Sequence, residues 1–396
     1  MFSRNALLLE CMVSSLGDNV HRSRRNNKVA LAGGLARYPI ENDLAALPLP
    51  LRADALMSLL QAQDHQIEPT NLADWFKAHF GDVLVANYFR PYNEKVWNVP
   101  LETLSMSWAD RIPCPPLEDV VRGALGQLSE GYLHQLYYSY PLRGGYSALM
   151  NAWAGGIPAN RLLLGSSVTE VQPTPDGVLV KTPSHEWRFE QVVSTLPLHD
   201  LVRMVPNVPA SVVNSVSRLI VNPMIVATLG FRGEDPNQFT AVYVPDDDYL
   251  VNRVSYPAVF SPNNAPPGCF SIQAELTTAP DSELLAWNDD AVLAHVLDGL
   301  RKRSLVPDRA ELVFTRVERY GYAYVVYTQG YEKDLRVATD WFASHGILLH
   351  GRFGSHQYVN VDGCLGSSIE LARTLGASLA DAEVRARFAS LATRGS

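Results

Sequence analysis

The sequence predicts a mixed architecture, α/β in one part and α+β in another, and three stretches predict it. Near the C-terminal end an apolar strand at 346–349 runs into the turn Gly351-Arg352-Phe353-Gly354-Ser355-His356-Gln357-Tyr358-Val359-Asn360-Val361-Asp362-Gly363, and a helix-like run follows from Ser367 to about Ala382. Residues 221–280 are rich in β-branched and aromatic side chains, in short runs separated by Asp, Asn, Pro and Gly, which reads as an antiparallel sheet of about five strands. Residues 53–63 and 70–81 carry helical patterns, the second opened by Thr70-Asn71 as candidate caps.

The strand–turn–helix is the build of a site for an anionic ligand. Glycine lets the backbone approach, and the free N–H groups and dipole of a helix N-terminus favour negative charge. An ordinary loop with a surface arginine fits the same residues equally well on physical grounds.

Composition bounds the function. The chain has 396 residues, 47% hydrophobic and 19% charged, enough for two or three domains. A net charge of −8 gives no nucleic-acid footprint, which needs a basic face. The dense basic run His21-Arg22-Ser23-Arg24-Arg25 reads as a solvated turn. Cys11, Cys114, Cys269 and Cys364 are far apart with no CxxC pair, as expected of reduced thiols in a cytoplasmic protein. No apolar run reaches membrane-spanning length, and the patch at 6–9 is too short and too acidic for a signal peptide. The expected partner is a small molecule, with no integral membrane segment, and an oligomer is compatible with this composition.

Along the chain, residues 4–16 read as a helix ending at Gly17, residues 28–31 as a strand and Gly33-Gly34 as a hairpin turn. Residues 83–116 bring Arg90, Tyr92, Lys95, Trp97, Trp108 and Arg111 close together in sequence, a mixture suited to a flat anionic ligand or to a packing face with ion pairs. Gly144-Gly145 precede a helical run at 146–154. Residues 161–169 read as a strand with a turn, 171–181 as a hairpin about Pro173–Gly177, and 189–195 as a strand. Asp246-Asp247-Asp248 reads as a solvated turn, not a metal site. Residues 281–303 read as one helix with Trp287 in its core stripe, and 311–319 as a strand. Tyr320, Tyr322 and Tyr324 share one strand face. Residues 333–344 read as a helix, and the tail from Val384 extends the last helix before fraying.

The run GRFGxxxYxNxD at 351–362 resembles the last flavin-binding motif of the FAD-dependent group that includes UDP-galactopyranose mutases, protoporphyrinogen oxidase-like proteins and amine oxidases. The run RxYxEKVW at 90–97 is similar to the substrate-domain motif of the mutase-like branch, and the YPxxGG junction at 140–145 to the segment over the flavin ring. The resemblance implies a discontinuous, GR2-type, Rossmann-like FAD domain from 1–30, 145–200 and 340–385. It implies a mixed helical and antiparallel-sheet substrate domain from 31–144 and 201–339, with a tail at 386–396. It assigns Gly144, Gly145, Val168, Gly351, Arg352, Gly354 and Asp362 to FAD. Arg352, Arg90, Tyr92 and Tyr358 would hold or stack the substrate in a catalytic role, with Trp97 and Tyr324 in the pocket wall.

Such flavoproteins open with a strand, a GxGxxG turn and a helix. That unit is missing from this sequence, so the resemblance implies an FAD domain incomplete at its N-terminus, through truncation or through loss of the dinucleotide unit in the lineage. Three activities follow as expectations: mutase chemistry on a nucleotide-sugar, oxidation of a C–N or C–C bond as in amine or porphyrinogen oxidases, or a flavin-less binding protein.

Overall fold

The computed structural model describes residues 1–64, 68–127 and 136–392. By contacts the chain falls into two units, one made of Met1–Val20, Tyr146–Val221 and Tyr324–Ser396, the other of His21–Gly145 and Asn222–Ala323. The sequence partition placed 21–30 with the first unit and 201–221 and 324–339 with the second. Residues 27–31 instead pair into the second unit's sheet, while the helices at 198–218 and 331–344 pack around the first unit's parallel strands.

The β-rich run becomes the middle of a seven-stranded sheet in the second unit. Its order is Glu311–Val326, Ile220–Arg232, Cys269–Thr277, Arg253–Ser255, Ala241–Tyr243, Asn27–Leu31 and Gly34–Arg37. Alternation sets the register: Ile272 faces Leu229, Ala274 faces Ala227 and Leu276 faces Ile225, all fully buried, while Gln273 opposite Thr228 points to the other face. Helix Asp289–Lys302 contributes Val292, Val296 and Leu300, one helical turn apart, to the same core. The sheet is mixed, not purely antiparallel, because Ala241–Tyr243 pairs in parallel with the strand from the N-terminal hairpin.

Other elements of this unit depart from the sequence reading. The expected helix over 281–303 is broken at Trp287, where Asn288 accepts the Ala291 amide at 2.8 Å and starts a new helix. Trp287 is consequently 37% exposed and outside the core stripe. The strand expected at 311–319 continues to Val326 and includes Tyr320, Tyr322 and Tyr324. The basic run 21–24 is a strand, paired antiparallel with Tyr137–Tyr140, and the Arg22 guanidinium lies 5.0 Å from the Tyr137 ring. Helix Leu72–Leu84 is capped by Asn71 as expected and kinks at Gly81 (φ 74°). A Cβ there would stand 2.5 Å from the Ser58 carbonyl carbon, so glycine allows helix Leu49–Asp64 to approach. The path continues through Val85–Phe89 into Arg90–Trp97 and stops at Asn98, which is left-handed (φ 54°).

The first unit holds a parallel pair, Ile347–Leu349 beside Val192–Ser194, and a three-stranded antiparallel sheet, Glu170–Thr174, Gly177–Lys181 and Glu186–Phe189. Val171, Leu198, Val212, Phe342 and Ile347 form one core. Cys11, Met12, Leu149, Leu365 and Ile369 form a second, gathering Ala6–Ser14, Ser147–Gly155 and Val361–Thr374. The strand expected over 161–169 does not form, and Leu163 and Leu164 are exposed. The strand expected over 189–195 is divided between two sheets. The helix expected from 367 to 382 begins at Val361 and ends at Thr374, before Gly376 (φ 93°), and Asp381–Ala389 is a separate helix. Among the described residues no helix is long and apolar enough to cross a membrane.

Candidate functional site

In the first unit the parallel strand Ile347–Leu349 delivers His350 and Gly351 to the loop end of the sheet. Gly351 has φ 77°, a left-handed conformation that favours glycine. Residues Gly351–Gly354 make one helical turn, and a Cβ on Gly354 would lie 2.8 Å from the Ser194 carbonyl oxygen. The two glycines thereby press the loop onto the neighbouring strand and hold Arg352 beyond its end.

Arg352 sits among aromatic rings. Its guanidinium carbon is 4.3 Å from the Tyr358 ring centroid and 5.6 Å from that of Tyr324, and its Nη1 donates to the Val359 carbonyl at 3.2 Å. Tyr324 and Tyr358 stack at 5.6 Å and 12°. The Tyr358 amide donates to the Tyr327 hydroxyl at 2.6 Å, and Tyr327 stacks on Tyr331 at 4.4 Å. A planar cation held against aromatic rings keeps its charge while losing little further rotamer freedom on binding. His356, at the foot of the loop, is fully buried, and burial pushes its pKa down to about 4, so it stays neutral.

After the loop, Asn360 starts helix Val361–Thr374 without a side-chain cap bond, and Asp362 lies in its first turn. A Cβ at Gly363 would stand 3.1 Å from the Val359 Cβ, so glycine keeps the loop close to that turn. The helix's first amides are thus not capped by Asn360, an arrangement suited to anionic oxygen. His350 Nε2 lies 2.8 Å from the hydroxyl of Ser368 on that helix. Val168, just before the strand Glu170–Thr174, is partly buried against the core. One unit therefore brings together Arg352, Tyr358, Tyr324, Gly351, Gly354 and Asp362.

Arg90, Tyr92, Trp97, Gly144 and Gly145 belong to the second unit. Gly144 and Gly145 both have positive φ, 80° and 60°. Arg90 is tied to Glu94 at 2.6 Å and Glu102 at 2.5 Å. Trp97 is buried, lies 4.2 Å from Trp108 between centroids, and donates to the Asn93 side chain at 3.0 Å. Tyr92 packs between Tyr88 and Tyr243, at 5.8 and 5.6 Å, and Tyr243 in turn contacts Tyr38 at 4.8 Å. The triple aspartate is organised by Arg303, which reaches Asp246 at 3.0 Å and Asp248 at 2.6 Å.

Beside this tyrosine group lies Glu41, 2% exposed, whose pKa is pushed up to about 8 by burial against the counter-effect of a backbone hydrogen bond. Burial also drives the Tyr88 hydroxyl far above its ordinary range, with Tyr38, Glu41 and Tyr243 adding to the shift. The sequence reading did not single out Glu41, Tyr88 or Tyr243 for a role. No spacing in the sequence reveals that Glu41 is buried.

The chain matches the model of the flavin containing amine oxidoreductase family over residues 37–375 and belongs to that family. Its fold is similar to that of a reduced UDP-galactopyranose mutase, with TM-score 0.87 and 21% identity over 98% of this chain and 86% of that one. It is also similar to a chain of Exiguobacterium sp. 255-15 described as a protoporphyrinogen oxidase, at TM-score 0.67 and 16% identity over 92% and 83% of the two chains. A third similar structure is cyclohexylamine oxidase from Brevibacterium oxydans, at TM-score 0.59 and 14% identity over 98% and 84%. The fold is accordingly the mixed α/β fold of this family, and membership supports FAD as the cofactor. The residues present fit an anionic group at the start of helix Val361–Thr374, whose first amides have no side-chain cap from Asn360 and which the close-packed Gly354 and Gly363 hold against the loop.

Proposed function

We infer that the chain is a flavoenzyme of the mutase-like branch, acting on a nucleotide-sugar, with FAD held by the Gly351–Gly363 loop and the start of helix Val361–Thr374. The observation that carries this reading is Arg352, a permanent cation on that same loop held against the stacked pair of Tyr358 and Tyr324. FAD, when bound, supplies the electron-rich or electron-accepting ring that the side chains lack. Arg352 orients a diphosphate by charge-assisted hydrogen bonds, and Tyr358 and Tyr324 offer ring faces to a sugar or base. Asp362 fixes the first turn of the helix, where its charge meets the positive end of the dipole. In the second unit, Tyr92 with Tyr38, Tyr88 and Tyr243 forms a second aromatic wall suited to stacking, and Glu41 beside it is a carboxyl kept protonated near neutral pH. Gly144, Gly145 and Val168 are assigned to cofactor contact, Arg90 and Trp97 to the substrate side.

The test is the visible spectrum of the purified protein with and without added FAD, followed by incubation of the dithionite-reduced protein with UDP-galactopyranose. Flavin bands that survive desalting and interconversion of the sugar ring form are the expected outcome. Flavin binding with peroxide release from amines would replace the reading with an oxidase. A protein that takes up no FAD would defeat it and leave the binding-protein alternative.

A further inference from the structure

A cavity of about 620 Å³ lies wholly within the second unit. That volume is inside the ~300–1,000 Å³ range of small-molecule sites. One wall is the face of helix Arg90–Trp97 that carries Arg90, Glu94 and the following Asn98, residues four apart and therefore stacked along one side. Tyr92, two positions from Arg90, is not on this wall and packs against Tyr88 and Tyr243. The opposite lining comes from 277–287 and from Asp247 and Leu250.

The chemistry of the lining selects among ligands. Arg90 is occupied by Glu94 and Glu102. Lys95 Nζ donates to the Val244 and Asp246 carbonyls at 2.9 and 2.7 Å, leaving one ammonium donor. Arg303 takes up Asp246 and Asp248, and Asp247 between them lines the cavity together with Glu283. An anion would meet those two carboxylates, and a cation would meet Lys95 and Arg90. A purely apolar ligand would desolvate the Asp247 and Glu283 carboxylates and the Lys95 ammonium without bonding them.

Neutral hydroxyl groups, which both give and accept hydrogen bonds, can satisfy such a mixed wall. Asn98 Nδ2 is turned to the Lys95 and Val96 carbonyls, which leaves its Oδ1 as an acceptor, and the Thr278 hydroxyl already donates to Ala279, which leaves its oxygen to accept. Trp287, displaced from the core by the helix break at Asn288, adds a flat apolar face beside Leu284. We propose that this cavity binds a neutral polyhydroxylated ligand of hexose size, stacked on Trp287 and hydrogen-bonded by Asp247, Asn98 and Thr278.

The site stands on the second unit alone; it shares Arg90 with the substrate side proposed above, but the residues proposed to hold the ligand, Trp287, Asp247, Asn98 and Thr278, have no part in that reading. The experiment uses the full chain, saturation-transfer NMR and tryptophan fluorescence, with D-galactose and methyl α-D-glucopyranoside as probes and inorganic phosphate and spermidine as controls. Saturable millimolar binding of at least one sugar is expected. Trp287→Ala should weaken it about tenfold, the size of one lost aromatic contact, and Asp247→Asn several-fold, with melting temperatures held near wild type because both side chains are exposed. Absence of sugar binding, sugar binding that neither substitution weakens, or preferential binding of phosphate or spermidine would each overturn the proposal. Neither residue belongs to the Arg352 site, so loss of flavin activity alone leaves these readouts intact.

Discussion

Glu41 offers the sharpest energetic test. It is 2% exposed, and burial raises its pKa from 4.5 to about 8. In the unfolded chain the carboxyl ionises near its ordinary value, whereas the folded protein holds the proton until about pH 8. The unfolded state therefore binds fewer protons across that window, and stability falls as pH rises. The contribution is fully present below pH 4.5 and is lost as pH passes 8. A shift of this size corresponds to roughly 5 kcal/mol, with about 2–5 kcal/mol expected once local relaxation admits water. Glu41→Gln keeps the shape and removes the titration, at a cost of about 1 kcal/mol for an imperfectly bonded amide. Wild type should be the more stable protein at pH 5 and the less stable at pH 8. At ~2–4 °C per kcal/mol the relative melting temperature should move by roughly 5–15 °C between those conditions. Thermal and urea unfolding of both proteins at pH 5, 6.5 and 8 measures it. A difference between the two proteins that stays constant over this range would mean that Glu41 is ionised in the fold, and the burial argument would fail.

Three further perturbations follow. Lys95 has its pKa lowered to about 8, chiefly by burial, so between pH 8 and 10.5 the unfolded chain binds more protons than the folded one, and wild type should gain roughly 2–3 kcal/mol relative to Lys95→Met in urea unfolding over that window. Arg352→Met removes the cation beside Tyr324 and Tyr358 and should weaken binding of UDP by about 10–100-fold in calorimetric titration, since hydrogen bonds to a charged group contribute ~1.5–3 kcal/mol; an unchanged affinity would separate Arg352 from substrate. Gly354→Ala drives a Cβ to within 2.8 Å of the Ser194 carbonyl and should lower stability by about 1–3 kcal/mol and FAD retention on desalting with it, whereas Gly321→Ala, with no atom near its added Cβ, should leave retention unchanged.

The parts of the fold legible in the sequence were those where local chemistry and burial agree. Asn71 before an apolar run announced a helix start, Pro175-Asp176-Gly177 a hairpin, and the β-branched and aromatic runs within 221–280 a set of strands. Two of the readings that failed were decided by distant partners. The basic run 21–24 forms a strand because Tyr137–Tyr140 pairs with it, and the sheet is mixed because a strand from the N-terminal hairpin joins it. The single helix over 281–303 was read through Asn288, although a cap residue at that position argues for a new start.

The candidate site divides in the same way. Gly351, Arg352, Gly354, Tyr358 and Asp362 were readable because they are consecutive on one loop, where backbone geometry alone places them together. Sequence also determined the order of strand, glycine turn and helix, since each follows from neighbours within a few residues. Tertiary structure alone decided that Tyr324 stacks on Tyr358, that Arg90 is taken up by Glu94 and Glu102, that Glu41 is buried, and that Asp247, Asn98 and Trp287 line one cavity. Those facts depend on desolvation and on contacts between segments far apart in the chain, and neither quantity is a property of a residue and its sequence neighbours.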